Sequence, residues 1–446
     1  MQLKNRFRWG LMLSMFVGIN ACTNNDIDPN AGNSVAPTKG TADFTKYVAV
    51  GNSLTAGYAD GGLYRDSQLN SYPSILATQF TTVGGGSFVQ PLFTEAQAAG
   101  AGYLKLIKVP DAANPLSLIT SLTTVAPGAA RGGTTTGGDP LLTKFTDANQ
   151  NLGVPGIRVS DILDSKYGLS NPYFERLVTN PATTYLQYMS DNLNGATFFS
   201  CWLGNNDALG YAISGGVTPL TSTALFTENF TAAMNKLTEG NRKGVVIGIP
   251  NITTAPYYTT ITVPLVLAGI NALLNPPTPI AALYIQTANG LRTTQTGDLL
   301  MLARATNYAT IGSSAVGTKA GPFGLSPANP LPDSLVLDGN EVSALNASVS
   351  AFNSIMKAQA DAKGIAYVDP NAVLSQVASS GGLTQNGITY RASFIQGGVF
   401  SLDGIHLTPA GYALMANEII KQINAKYTAT IPTVNPANYR RVLLQQ

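Results

Sequence analysis

Lys46-Tyr47-Val48-Ala49-Val50-Gly51-Asn52-Ser53-Leu54-Thr55-Ala56-Gly57 is the stretch on which the fold turns. Its first half is β-branched, aromatic and small apolar residues closing on a glycine, which reads as a buried strand feeding a tight turn. Three further runs share that shape. Residues 197–203 (TFFSCWL) end at Gly204, residues 244–249 (GVVIGI) at Pro250, and residues 365–368 (IAYV) at Asp369-Pro370. Helix-length stretches lie among them at 227–239, 341–363 and 409–426. In the second of these, Val342, Leu345, Val349, Phe352, Ile355 and Met356 recur near a 3.6 spacing, so one face is buried. Apolar strands separated by helices predict an α/β fold, a parallel sheet covered on both faces. Ligands in such sheets sit at the carboxyl ends of the strands. Three of those ends carry Gly51-Asn52-Ser53, Gly204-Asn205-Asn206-Asp207 and Pro250-Asn251, which are expected to meet in one crevice.

A chain of 446 residues allows two or three domains or one large α/β unit, and 44% hydrophobic residues suffice for a sizeable core. Charged residues are only 11%, against roughly 25% in an average soluble protein. The net charge is +2, and loss of Lys4, Arg6 and Arg8 with a leader would take it to −1. That balance excludes a basic nucleic-acid binder, whose affinity rests on clustered Lys and Arg. One histidine and two cysteines are too few for a His/Cys zinc site.

The N-terminus has a leader's composition. Lys4, Arg6 and Arg8 precede an apolar run over 9–19, too short to span a bilayer, followed by Ile19-Asn20-Ala21-Cys22. The cysteine after Ala21 resembles a bacterial lipoprotein signal. That resemblance implies a signal peptide over 1–21, lipidation at Cys22 and an outer-membrane lipoprotein of the cell envelope, with the membrane as a partner through the anchor. Ile19 and Asn20 depart from the usual residues there, and an ordinary secreted protein is the alternative. Polar residues 22–43 read as a flexible tether. Residues 44–427 form the body, interrupted by insertions at about 84–147 and 257–333 that are expected to lie over the crevice. Residues 428–446 read as a surface strap. No later apolar run is long enough to suggest a second membrane segment, and with Cys22 lipidated Cys201 is the one remaining thiol.

Two short stretches carry the chemistry. Ser53 follows a strand on a glycine-flanked turn, where a hydroxyl stands exposed and the backbone N–H can face an oxyanion. A helix N-cap is the commoner role for such a serine. In Asp403-Gly404-Ile405-His406, His406 is the single imidazole in the chain, and histidine is the side chain suited to act as base near neutral pH. Asp403, three residues earlier, can fold back onto the ring and stabilise an imidazolium. The alternative is a structural histidine at a helix start, with Thr408 as N-cap and Pro409 at the first helical position.

The combination resembles the SGNH (GDSL-type) hydrolase family over most of residues 46–425. Gly51-Asn52-Ser53-Leu54 is similar to its first block, and Asn151-Leu152-Gly153-Val154-Pro155-Gly156 to its second. Gly204-Asn205-Asn206-Asp207 is similar to its third and Asp403-Gly404-Ile405-His406 to its last. The resemblance implies a flavodoxin-like three-layer sandwich and a Ser53–His406–Asp403 triad. It also implies an oxyanion hole from the Ser53 N–H, the Gly156 N–H and the Asn206 amide, although Gly153 also fits loosely. Asn52 stands where the family has an acid, so the nucleophile lacks a neighbouring negative charge. Pro332-Asp333-Ser334-Leu335 spells a similar motif, but no strand precedes it and it reads as a surface turn.

The implied activity is hydrolysis of small-molecule or lipid carboxylic esters through an acyl-enzyme, for which no metal or organic cofactor is needed. The apolar segment around 263–274 could line an acyl pocket, form a lid, or be a core helix. Carbohydrate acetyl esterase and a non-catalytic glycan-binding lipoprotein are the competing readings.

Overall fold

The computed structural model describes residues 36–111, 115–134, 140–318 and 320–442. The expected signal peptide, Cys22 and most of the tether lie outside the described residues.

Five strands form the central sheet: β1 (Tyr47–Gly51), β2 (Asn151–Gly153), β3 (Phe198–Trp202), β4 (Lys243–Ile247) and β5 (Ala366–Val368). They lie in the order β5-β4-β3-β1-β2, every neighbouring pair parallel. This is the flavodoxin-like order, in which the chain reverses direction across the sheet between β1 and β3 and opens a crevice there. Four strands coincide with the runs read from sequence. β2 is only three residues long, too short to register as an apolar run.

Alternation along β1 separates two cores. Val48 and Val50 join Phe199, Cys201 and Val246 on one face, under α4 (Thr223–Leu237) and α6 (Gly339–Ala362). Tyr47 and Ala49 join Phe198, Trp202, Val245 and Ile247 on the other, under α2 (Tyr72–Thr81) and α7 (Pro409–Tyr427). The result is a three-layer α/β sandwich. The helices begin where their caps dictate. Asp338 and Glu341 form a reciprocal capping box on α6. Thr408 Oγ1 accepts from Gly411 N ahead of Pro409 on α7. Cys201 sits fully buried in β3, where burial pushes its thiol up to about 12.

One boundary differs from the sequence reading, and two further segments are placed by their packing. The folded body begins before residue 44: Thr41 N donates to Tyr427 O, and Ala42 and Phe44 are buried. Small and polar residues there hid a docked segment, because its pairing partners lie nearly 400 positions away. The C-terminal strap is likewise anchored, with Ile431 buried and Asn417 clamping the Val434 backbone. The second such segment, 256–274, is by length and composition apolar enough to cross a membrane. It is broken into two helices, Pro256–Thr259 and α5 (Val263–Leu274), with Tyr258, Ile261, Val266 and Ile270 in the core and Leu273 and Leu274 exposed.

The stacked rings of Phe226 and Phe352, 4.1 Å apart and fully buried, join α4 to α6. Phe352→Ala is expected to cost about 3–5 kcal/mol, read as a lowered midpoint in chemical denaturation.

Candidate active site

β1 ends in a turn that only glycine fits. A Cβ on Gly51 would stand 2.0 Å from Thr55 Oγ1 and 2.6 Å from Trp202 O. The chain therefore passes directly into the short helix α1 (Ser53–Ala56). Its N-cap is Asn52, whose Oδ1 accepts from Leu54 N at 3.0 Å. The capping role considered for Ser53 is thus filled by its neighbour, and the serine hydroxyl is left for another partner. Asn52 also donates from Nδ2 to Asn205 Oδ1 at 2.8 Å, tying the end of β1 to the turn after β3. An aspartate at 52 has no N–H for that second bond. Asn205 was invisible as a partner in sequence, being 153 residues distant.

Ser53 Oγ lies 2.8 Å from His406 Nε2, and His406 Nδ1 lies 2.8 Å from Asp403 Oδ2. A carboxylate only accepts, so the ring proton belongs on Nδ1 and Nε2 is left to accept from the serine hydroxyl. Asp403 is further held by Gly61 N on Oδ2 and by Ile405 N, His406 N and Ser401 Oγ on Oδ1. Burial raises the affinity of that carboxyl for a proton. The His406 charge and the hydrogen bonds from its ring and from the Ile405 and His406 amides outweigh burial, holding the carboxyl well below the usual carboxylate range. The Tyr58 ring covers the imidazole, 4.6 Å between centroids, a contact no motif announced.

Gly156 has φ +88 and Gly204 φ +100, both in the left-handed region that favours glycine. Gly156 and Asn206 line the same cavity as Ser53 and His406. Gly153 instead packs against α1, where a Cβ would meet Ala56 N at 2.3 Å. Asn206 Nδ2 donates to Ile157 O at 2.9 Å, and Asp207 accepts from Val159 N and Ser160 N. The turn after β3, where α3 (Asn205–Ile213) begins, therefore holds the segment carrying Gly156. All five expected site residues of the body come together at the carboxyl ends of β1, β2 and β3.

Two cavities open from this row and share Ser53, Asn206, Leu209 and His406. One, about 670 Å³, is walled by Leu54, Trp202, Ile252, Leu374, Phe400 and Leu407. The other, about 1020 Å³, is wider and more polar, with Tyr58, Ser170, Asn171 and Tyr173. The first insertion gives Ala101, Pro127 and Leu142 to the wider cavity. The second supplies no lining residue to either, α5 included. Its beginning backs the His406 loop instead: Tyr257 N donates to Gly404 O, and Gly404 leaves no room for a Cβ beside Leu302 and Tyr257. Among the described residues no cluster of His, Cys, Asp and Glu could hold a metal ion.

The family model for GDSL-like lipases and acylhydrolases matches residues 47–419. The chain belongs to this family. As a member of the GDSL-like family it is a hydrolase acting on esters. Among solved structures it is similar to an extracellular lipase from Streptomyces rimosus, at 13% identity and TM-score 0.29, covering 86% of this chain and 100% of that one. It is also similar to a phospholipase A1 from Streptomyces albidoflavus, at 14% identity and TM-score 0.30 with the same coverage. No curated protein sequence matches it.

Asp207 supplies a test of the turn after β3. Burial pushes its carboxyl up to about 6 against hydrogen bonds from Val159 and Ser160. A carboxyl whose folded value exceeds its unfolded one, about 3.9, contributes stability at low pH that is lost as pH rises through about 6. The unfolding free energy of wild type relative to Asp207→Asn is expected to decline across that interval in urea titrations. A constant difference would refute the assignment.

Proposed function

We propose that the chain is a serine esterase that cleaves carboxylic esters through an acyl-enzyme on Ser53. The reading rests on one observation, the 2.8 Å approach of Ser53 Oγ to an imidazole whose other nitrogen is held by a carboxylate. Ser53 Oγ attacks the ester carbonyl as His406 Nε2 takes its proton. Asp403 stabilises the imidazolium, which returns the proton to the leaving alcohol as the C–O bond breaks. A water molecule repeats the sequence on the acyl-enzyme and releases the acid. The Ser53 and Gly156 N–H groups and the second N–H of the Asn206 amide are the donors for the tetrahedral oxyanion. The carbonyl thus faces three dipoles already fixed by the turns after β1, β2 and β3.

The two cavities divide the substrate. The apolar one suits an acyl chain, and the wider polar one suits the alcohol. Apolar walls gain more from a hydrocarbon chain than from a single methyl, which favours esters of longer acids over acetylated carbohydrate. A glycan-binding protein without activity has no use for a fully hydrogen-bonded Ser–His–Asp row. For location we propose secretion to the cell envelope with an acyl anchor on Cys22. The charged, apolar and small-residue order of the leader supports it. Cys22→Ser is expected to move the protein from the membrane pellet to the soluble fraction.

Ser53→Ala is expected to abolish turnover of p-nitrophenyl esters and labelling by a serine-directed phosphonate. Unchanged rates in that variant would sink the esterase reading. Asp403→Asn should lower kcat by on the order of 10⁴-fold, through the wrong ring tautomer, and Asn206→Ala by about 10²–10³-fold. Across a chain-length series the optimum should lie beyond acetate.

A further inference from the structure

The loop bearing Asp403 is held from a direction the proposed mechanism does not use. Asp60 lies fully buried in the turn after α1, with φ +53, a left-handed conformation that costs a non-glycine residue energy. Its N–H donates to Ser401 Oγ at 2.9 Å, and its Oδ1 accepts from Leu402 N at 3.0 Å. The next residue, Gly61, donates its N–H to Asp403 Oδ2 at 2.9 Å, the oxygen that holds the His406 ring. The 59–62 turn, closed on itself by reciprocal Ala59–Gly62 bonds, thus grips 401–403 at three consecutive residues.

A buried carboxylate needs a cation or a full set of donors. Burial pushes the Asp60 carboxyl above its usual range, opposed first by the guanidinium of Arg440. Arg440 comes from the C-terminal strap. Its Nη2 lies 3.7 Å from Asp60 Oδ2 and donates to Tyr64 Oη at 2.7 Å, and that hydroxyl donates to the same Asp60 oxygen at 2.6 Å. The carbonyl of Arg440 meanwhile accepts from Ala410 N, in the first turn of α7 four residues beyond His406. One residue of the strap therefore touches both the turn that holds Asp403 and the helix that follows His406.

We propose that Arg440 is a positioning residue for the Asp403–His406 loop, acting through Asp60 and Tyr64 rather than on substrate. This rests on the esterase reading for its kinetic readout, but a second readout is independent of it. Because the chain has a single histidine, protein labelled with 15N-histidine and carrying no histidine tag gives one imidazole signal. The low-field Nδ1 proton held by Asp403 is then assigned without ambiguity.

The test compares Arg440→Gln, Arg440→Lys and Tyr64→Phe with wild type. Arg440→Gln is expected to lower kcat by about 10- to 100-fold, the scale of a small misplacement originating far from the reacting atoms, with KM changed less than about twofold. Its low-field resonance should broaden or vanish. Arg440→Lys, which restores the charge, should recover most of both, and Tyr64→Phe should fall between. A wild-type resonance and kcat in Arg440→Gln overturn the proposal. So does an equal loss in Gln and Lys variants with the resonance intact, because general stability alone would then be at stake. If Arg440→Gln does not fold, the Lys and Phe variants decide by the same two readouts. Absence of turnover in wild type would sink the esterase reading while the resonance comparison still decides this one.

Discussion

The contact between Ser53 Oγ and His406 Nε2 joins positions 353 residues apart in the chain. Neither group is useful alone. A serine hydroxyl is a poor nucleophile without a base, and an imidazole without an orienting partner has no fixed tautomer. The architecture resolves both needs by bringing the ends of the chain to the same edge of one sheet. β1 delivers the serine at the point where strand order reverses, and the loop before α7 delivers the imidazole. Between these ends, β2 and β3 each contribute a turn, so the oxyanion donors proposed for the site belong to three different strands. An error in sheet register would shift these groups relative to one another, and the register is set by apolar alternation through both cores.

Asn52 illustrates how a departure from a family pattern can be compensated locally. The residue caps α1 with its carbonyl oxygen and binds Asn205 with its amide. A carboxylate would supply only the first. The neutral side chain exchanges a charge beside Ser53 for a neutral donor to the turn after β3. Similar division of labour appears in Asp207, whose carboxylate accepts two amides of the segment carrying Gly156. These residues align the peptide groups that face the crevice.

Much of this was legible in sequence because its physics is local. Four of the five strands announce themselves as apolar runs closing on glycine or proline. Thr408 and Pro409 mark the start of α7 without reference to anything else. Ser53, Asp403 and His406 stand out because the chain offers one imidazole and one acid three residues before it. What escaped depends on distant partners. Thr41 looks like tether until Tyr427 is seen beside it. Asp60 looks like an ordinary turn residue, and Arg440 like the end of a strap. The helix over 263–274 drew attention through its hydropathy, which measures what a segment resembles rather than where its neighbours put it. Position relative to the crevice is a property of topology, and composition does not encode it.

The placement of Cys201 in β3 bears on how such a chain reaches its native form. The folded body has this thiol alone, enclosed by the sheet and its covering helices. Among the described residues no crosslink has to be made or corrected as the domain assembles. The interior is also sealed against oxidants that would turn a small apolar wall into a bulky acid. Within the described residues the covalent structure is the same in a reducing or an oxidising medium.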